Sequence, residues 1–438
     1  MGIAKDGRVL YSSWEQTANL AGSSSWIALM DTAFDVLQAR GFVQQVTHPE
    51  VLRERLQNER VTFYIGFDPT ASSFHVGNLL PIMAMVHMQR AGHRPIAILG
   101  GGTALVGDPS GKTEMRQMLT YDTIRQNAQA LEGQLRRYLT FTGDHGALLL
   151  NNADWLVDLK YIDFLRGIGR HFSVNRMLTF EAYKQRMETG LSFLEFNYQL
   201  LQAYDFLVLC QRYSCVLQMG GDDQWGNMVA GVDLIRRIDQ GETFAMTFPL
   251  LTTASGQKMG KTAAGAVWLD GNLTSPYEFY QFWINVDDRD VARFLNYYTL
   301  LPLEETQRLG TLHGADLRQA KEVLAFEVTA LTHGQEAAQQ AQEAARAMFG
   351  GGGEAGGAPE TLITLARLEQ GVAVVDLFVK TGLAASKGAA RRLIAQGGAS
   401  VNGARLGNAE ALITPADLQD GAVLLRAGKK RYHRVVVS

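Results

Sequence analysis

An α/β fold opens this chain, a parallel sheet covered by helices, and a purely helical unit and a small α+β unit follow it. Three observations predict this order. Short apolar strands such as TFYIGF, RPIAILGG and CVLQMGG alternate with runs of helical period through residues 31–262. Over 263–349 the strand signal gives way to helical runs, among them RQAKEVLAFEVTALTHG and QEAAQQAQEAARAMF. Beyond a Gly-rich stretch at 350–360, GGGGEAGGAPE, residues 361–438 carry two short helical patterns and then strand-like ones. At 438 residues the chain exceeds what one hydrophobic core usually supports, roughly 250–300 residues, so several domains are expected.

Residues 1–30, with AGSSS and no sustained period, read as an extension that is either disordered or upstream of the native start. They lack the basic flank and apolar core of a secretory signal. The first strand is TFYIGFD, halted at Asp68 and Pro69. His75-Val-Gly-Asn then leads into the helical run LLPIMAMVHMQRAG, closed by Gly92. A helix start beside His75 offers free backbone N–H groups to phosphate, and Gly77 allows a flat ring close to the backbone. The imidazole can donate to a phosphoryl oxygen. A His before a helix is more often a cap, so this segment acquires weight only from others. GFDPT and GGDDQ each follow a predicted strand, where ligands bind in parallel sheets. GGGGEAGGAP reads as a flexible linker, VAVVDLFVKTGL and SKGAARRLIAQGG as helices, and ASVNGARL and AVLLRAGKKRYHRVVVS as strands.

Far along the chain, Lys258-Met-Gly-Lys-Thr262 places two lysines three apart on a Gly- and Ser/Thr-rich loop. Such an arm can follow a polyphosphate during reaction, although most loop lysines are simply solvated. The two segments resemble the HIGH and KMSKS signatures of class I aminoacyl-tRNA synthetases. Between them lie GDPSGKTEMR (107–116), YQLLQAYD (198–205) and QMGGDDQWGN (218–227), and this combination resembles the bacterial tyrosyl-tRNA synthetases from about Asp31 to the C-terminus. GDPSGKT only mimics a P-loop, because three residues rather than four separate its glycines.

The resemblance implies a Rossmann-like nucleotide-binding catalytic domain over 31–262, a helical anticodon-region domain over 263–349 and an RNA-binding domain over 361–438. The activity implied is formation of tyrosyl-adenylate from L-tyrosine and ATP, then transfer to tRNA(Tyr). Thr70 and His75 would contact the moving phosphates. Lys112, Arg116, Lys258 and Lys261 would hold pyrophosphate, with Thr262 retaining the one hydroxyl of the mobile loop. Asp68, Gly66, Gly77, Asn78, Gly221 and Asp223 would border the nucleotide; Asn78 stands in place of the second His of HIGH. Tyr64 and Asp205 would meet the phenolic hydroxyl of tyrosine, Asp108, Tyr198 and Gln202 its ammonium group, and Gln224 its carboxylate. Tyr198 and Asp205 in isolation would read as ordinary residues of one helix face.

Chemistry of this kind needs placement and charge stabilisation rather than an enzyme nucleophile, and no Ser/His/Asp constellation stands out. Mg2+ is expected with ATP, held chiefly by phosphate oxygens. Cys210 and Cys215, the two cysteines, have no partner pair for zinc and read as reduced core thiols of a cytoplasmic protein. No apolar run spans a bilayer. The net charge of -3 hides an asymmetry: residues 371–438 carry ten Lys/Arg against four Asp/Glu, so the rest carries -9. A basic tail suggests a polyanionic partner, with Lys387, Arg391, Arg392, Lys429, Lys430 and Arg431 as RNA contacts. The resemblance also implies a homodimer. Two other readings are a tryptophanyl-tRNA synthetase, disfavoured by Tyr64, YQLLQAYD and the basic tail, and an RNA scaffold retaining a synthetase body, disfavoured by intact His75, Lys258 and Lys261.

Overall fold

A computed structural model describes residues 32–110, 119–254, 256, 259, 261–262, 265–349, 360–419, 421–428 and 431–437. The extension at 1–30, residues 350–359 of the linker, and Lys112, Arg116, Lys258, Lys429 and Lys430 lie outside them, as do the side chains of Lys261 and Thr262; Glu360 already belongs to the C-terminal sheet. Two compact units divide the chain within the described residues: Met1–Ser72 with Leu80–Leu250, and Ser73–Leu79 with Leu251–Ser438.

The first unit is built on five parallel strands, β1 (Thr62–Phe67), β2 (Arg94–Leu99), β3 (Leu148–Asn151), β4 (Cys215–Gly221) and β5 (Phe244–Phe248), ordered β3-β2-β1-β4-β5. The parallel sheet of the expected α/β class is therefore present. β1 is central and buried except at Gly66, which suits a strand covered on both faces. The order in which strands are added reverses between β1 and β4, the place where such sheets open a crevice at their carboxyl ends. The ladders show it: β1 follows β2 as far as Phe67 opposite Leu99, but its pairing with β4 stops at Tyr64 opposite Gln218. Beyond that register Gly66–Asp68 and Gly220–Asp222 part company.

Helices α1 (Leu79–Arg90), α2 (Tyr121–Leu135), α3 (Tyr198–Tyr213) and α4 (Trp225–Ile238) belong to this sheet region. Residues 82–88 of α1 are buried all round, as an apolar helix through a core should be. α3 ends at Ser214, which adopts the left-handed conformation (φ 52°) and turns the chain directly into β4.

In the second unit the strap Ser73–Leu79 is tied to the segment after a short hairpin, β6 (Lys261–Thr262) and β7 (Gly265–Ala266). Val76 N–H donates to Val267 O at 3.0 Å, and Leu269 N–H to Phe74 O at 2.8 Å. The helical run starts later than the sequence suggests, at α5 (Pro276–Ile284), because residues 261–262 and 265–269 spend backbone groups on the hairpin and strap. Two short helices, Val291–Tyr298 and Leu303–Gly310, and then α6 (Leu317–His333) and α7 (Gln335–Phe349) complete it, around edge-on contacts of Trp283 with Phe279 and Phe294.

Residues 360–437 form a sheet ordered β11-β10-β13-β14-β8, from β8 (Glu360–Ile363), β10 (Ala399–Val401), β11 (Ala404–Arg405), β13 (Ala422–Ala427) and β14 (Arg431–Val437); β9 (Val372–Ala373) pairs with β12 (Leu412–Ile413). One sheet face closes on α8 (Val374–Lys380) and α9 (Lys387–Ala395) through Leu377, Phe378, Ala390 and Leu425. ASVNGARL is a hairpin rather than one strand, since Asn402 and Gly403 both have positive φ (48° and 79°), the signature of a two-residue turn. No described helix is long and apolar enough to cross a membrane.

Candidate active site

β1 delivers Tyr64 to the sheet interior, 2% exposed, and its hydroxyl has no hydrogen-bond partner among the described residues. α3 delivers Asp205, 4% exposed, to the same apolar region. A bare carboxylate there would cost several kcal/mol, so its oxygens must be satisfied. Trp155 Nε1 donates to Oδ1 at 2.7 Å and Asn152 Nδ2 to Oδ2 at 2.9 Å. The Asn152 amide is itself oriented, since its Oδ1 accepts from Gly102 N–H at 2.8 Å. Burial pushes the Asp205 carboxyl up to about 7 against the pull of those two donors, and the nearby Asp68 charge adds to the rise. Burial likewise raises the Tyr64 hydroxyl, with Asp205 contributing.

The network continues from Asn152 Nδ2 to Thr103 Oγ1 (3.0 Å) and from Thr103 Oγ1 to Asp68 Oδ1 (3.1 Å). Tyr198 Oη donates to Asp68 Oδ2 at 3.3 Å. Tyr198 is therefore joined to Asp68, and Asp108, expected beside it around an ammonium group, has other protein partners. Asp108 accepts instead from Gln224 Nε2 at 2.7 Å and from Ser110 N–H at 2.9 Å, and Asn227 Nδ2 fixes the Gln224 carbonyl at 3.1 Å. Gln202 Oε1 is buried without a partner among the described residues. Thr70 is exposed, and its N–H closes a turn on Asp68 O. Gly66 has open space where a Cβ would stand, whereas a Cβ at Gly221 would lie 2.6 Å from Asp223 Oδ1.

Asn152, Trp155, Thr103, Ser110 and Asn227 are the residues that sequence reasoning missed. Asn152 and Trp155 lie just past β3, and the run NNADW behind LLLN was the available signal.

In the second unit His75 caps the turn Val76–Asn78. Its Nδ1 accepts from Gly77 N–H at 3.0 Å, while its own N–H donates to Asn78 Oδ1 at 3.1 Å. In the neutral imidazole this leaves the proton on Nε2, the form that donates. A Cβ at Gly77 would lie 2.7 Å from His75 Cε1 and 3.2 Å from Met259 O, so glycine is required for that approach. His75 pairs with Trp268, two residues beyond the strand partner of Lys261. The HVGN strap thus adjoins Met259 and the segment following the β6–β7 hairpin.

Of the cations expected on RNA, Lys387 pairs with Asp376 (2.7 Å) and Arg391 with Glu410 (3.3 Å), while Arg431 Nη2 caps Leu383 O at 2.9 Å. Arg392 is exposed on α9. These ion pairs are exposed and worth little, so a phosphate can exchange with either carboxylate. Cys210 is half-buried and Cys215 buried, and no group of three metal-ligating side chains occurs among the described residues.

Residues 56–350 match the family described as tRNA synthetases class I (W and Y), and residues 358–435 match the tyrosine–tRNA ligase SYY-like C-terminal domain. A tyrosine–tRNA ligase of Clostridium beijerinckii is 55% identical over 408 residues, 93% of this chain and 100% of that one. One from Desulfosudis oleivorans is 56% identical over 426 residues, 92% and 98% of the two chains. Among solved structures, a C-terminally truncated mitochondrial tyrosyl-tRNA synthetase of Aspergillus nidulans superposes with a TM-score of 0.66 at 29% identity, covering 76% of this chain and 99% of its own.

Proposed function

The chain belongs to the class I tRNA synthetases, within the tyrosine–tRNA ligases, and from that membership we propose how its residues divide the reaction. It activates L-tyrosine with ATP, releasing pyrophosphate, and passes the tyrosyl group to the 3′-terminal ribose of tRNA(Tyr). In the first step a carboxylate oxygen of tyrosine attacks the α-phosphorus as the bond to the β-phosphate oxygen breaks. In the second a terminal ribose hydroxyl attacks the acyl carbon and AMP leaves.

Tyr64 and Asp205 receive the phenol. The observation that carries this reading is a buried hydroxyl with no partner among the described residues, beside a buried carboxylate aligned by Trp155 and Asn152. A phenolic hydroxyl satisfies both, whereas a phenylalanine ring leaves them buried and unpaired. Asp108, Tyr198 and Gln202 take the ammonium group and Gln224 the carboxylate; the Tyr198–Asp68 bond supports Asp68 as a second negative neighbour of that ammonium. Thr70, His75 through Nε2–H, Lys112, Arg116, Lys258, Lys261 and Thr262 act on the phosphates. Gly66, Gly77, Asn78, Gly221 and Asp223 border the nucleotide. Mg2+ enters with ATP on phosphate oxygens.

The domains are 31–262, catalytic, 263–349, helical, and 361–438, RNA-binding, joined by the linker at 350–360 and preceded by the extension at 1–30. The protein works in the cytoplasm, where its substrates are, as a homodimer. Of fourteen large exposed apolar side chains among the described residues, seven fall between Val157 and Leu194, including Ile162, Val174 and Phe193, a concentration that suits a second copy. Replacement Asp205→Ala should abolish tyrosine-dependent pyrophosphate exchange, with tryptophan inactive throughout and circular dichroism unchanged. Undiminished exchange in that variant would discard the phenol assignment.

A further inference from the structure

The C-terminal sheet carries one row of polar side chains outside helix α9 and the 429–431 cluster. Across four strands, Arg405 of β11 stands opposite Ser400 of β10, Ser400 opposite Arg426 of β13, and Arg426 opposite Tyr432 of β14. Directly opposed residues share a face. Their sequence neighbours Ala399, Leu425 and Ala427 point into the core against α8 and α9, so the row occupies the face turned away from it.

Ser400 is 9% exposed, and its hydroxyl has no hydrogen-bond partner among the described residues. A hydroxyl so placed is left unsatisfied at a cost unless something meets it. Its two cross-strand neighbours are both arginines. Neither has a carboxylate partner among the described ion pairs, in contrast to Arg434 in the adjoining row, which is neutralised by Glu360 at 2.7 Å. With strands ~4.8 Å apart, the backbones of Arg405 and Arg426 stand ~10 Å from each other with Ser400 midway, a span two guanidinium arms can close on one anion.

Both arms are parked on glycine. A Cβ at Gly397 (φ 69°) would fall 1.6 Å from Arg405 Nη2, so that guanidinium lies flat on the turn after α9. Arg426 Nε donates to Gly428 O at 2.8 Å, and its Cζ lies 5.5 Å from the centre of the Tyr432 ring. Arg426 is thereby held, while Arg405 is exposed and able to swing.

We propose that this row is a binding site for a single phosphodiester of RNA, with Arg405 and Arg426 clasping the phosphate and the Ser400 hydroxyl donating to one of its oxygens. Tyr432 supports Arg426 from beneath. The site rests on the reading of 361–438 as RNA-binding, and adds to it residues outside the helix α9 and the 429–431 cluster.

The test uses the full chain and tRNA(Tyr). Arg405→Gln, Arg426→Gln and Ser400→Ala, and the double Arg replacement, are compared by tRNA binding across a salt series and by the tRNA KM of aminoacylation. Each Arg variant should weaken binding by about tenfold and Ser400→Ala by about threefold, as expected for charged and neutral hydrogen bonds respectively. The double variant should flatten the plot of log K against log salt by about 1, the share of one phosphate. Tyrosine-dependent pyrophosphate exchange involves no RNA and should stay at the parent rate, which confirms folding. Unchanged binding in the double variant overturns the site, and so does weaker binding with an unaltered salt slope. The α9 variant Lys387→Gln/Arg391→Gln/Arg392→Gln separates the two failures: if it weakens binding while the row variants do not, only the row is lost, and if neither does, the RNA-binding reading falls with it.

Discussion

Trp155→Phe removes one atom group from the candidate site, the indole N–H that donates to Asp205 Oδ1 at 2.7 Å, and leaves an aromatic ring in place. Trp155 is 8% exposed, so water does not readily replace the lost donor. A hydrogen bond to a charged acceptor contributes ~1.5–3 kcal/mol, which is one to two decades in an equilibrium constant. On the proposed assignment of Asp205 to the phenol, that energy aligns the carboxylate in the ground state and the transition state alike. The KM for tyrosine in pyrophosphate exchange should therefore rise about 10- to 100-fold with kcat little changed. The pH profile gives an independent reading. In the parent, kcat/KM for tyrosine should climb through the Asp205 carboxyl near 7 as it ionises. Trp155 pulls that value down, so its loss should carry the limb to higher pH. A KM within twofold of the parent, together with an unmoved limb, would refute the role given to the indole.

Three further outcomes follow from the same structure. Asp205 is raised in the folded chain from 3.8 to about 7, so the folded state prefers the protonated form; its contribution is full below 3.8 and lost as pH rises through about 7. Asp205→Asn should then stabilise the protein at pH 8 by ~2 kcal/mol, allowing for an amide N–H turned toward a donor, and the gain should shrink toward pH 4 in urea melts. Arg186 and Glu195 form an ion pair at 3.0 Å with side chains 3% and 4% exposed. Burial alone would raise the Glu195 carboxyl, yet Arg186 and Ser192 hold it below its usual range. Arg186→Met should cost ~3–5 kcal/mol by stranding that charge, seen as a lowered urea midpoint and faster proteolysis near 181–197. Finally, Phe193→Asp places a charge on a side chain 71% exposed, and sedimentation should show dissociation to monomers if that apolar region joins two copies.

Strands β1, β2 and β4 were legible because a parallel strand buried on both faces reads as an unbroken apolar run. β3 was not, since LLLN is only four residues long and its pairing partner Ile96–Leu99 is set by the sheet rather than by local pattern. That omission hid Asn152 and Trp155, whose purpose appears only once β3 lies beside β2. His75 was legible as a helix-start residue, and the structure shows it capping the turn Val76–Asn78 through Nδ1. Tyr198 could not be separated from Asp205 by spacing, because both lie on α3; tertiary contacts tell them apart, since the Tyr198 hydroxyl goes to Asp68 while the Asp205 carboxylate is held by Asn152 and Trp155. The row through Ser400 was invisible in sequence, since cross-strand register joins residues that no motif connects.

A crystal structure with bound L-tyrosine tests the central claim most directly. The phenolic oxygen should lie within ~2.5–3.0 Å of both Tyr64 Oη and an Asp205 carboxylate oxygen, with the Trp155 and Asn152 bonds retained. A tyrosine whose hydroxyl faces solvent, or one seated away from Asp205, would contradict the account.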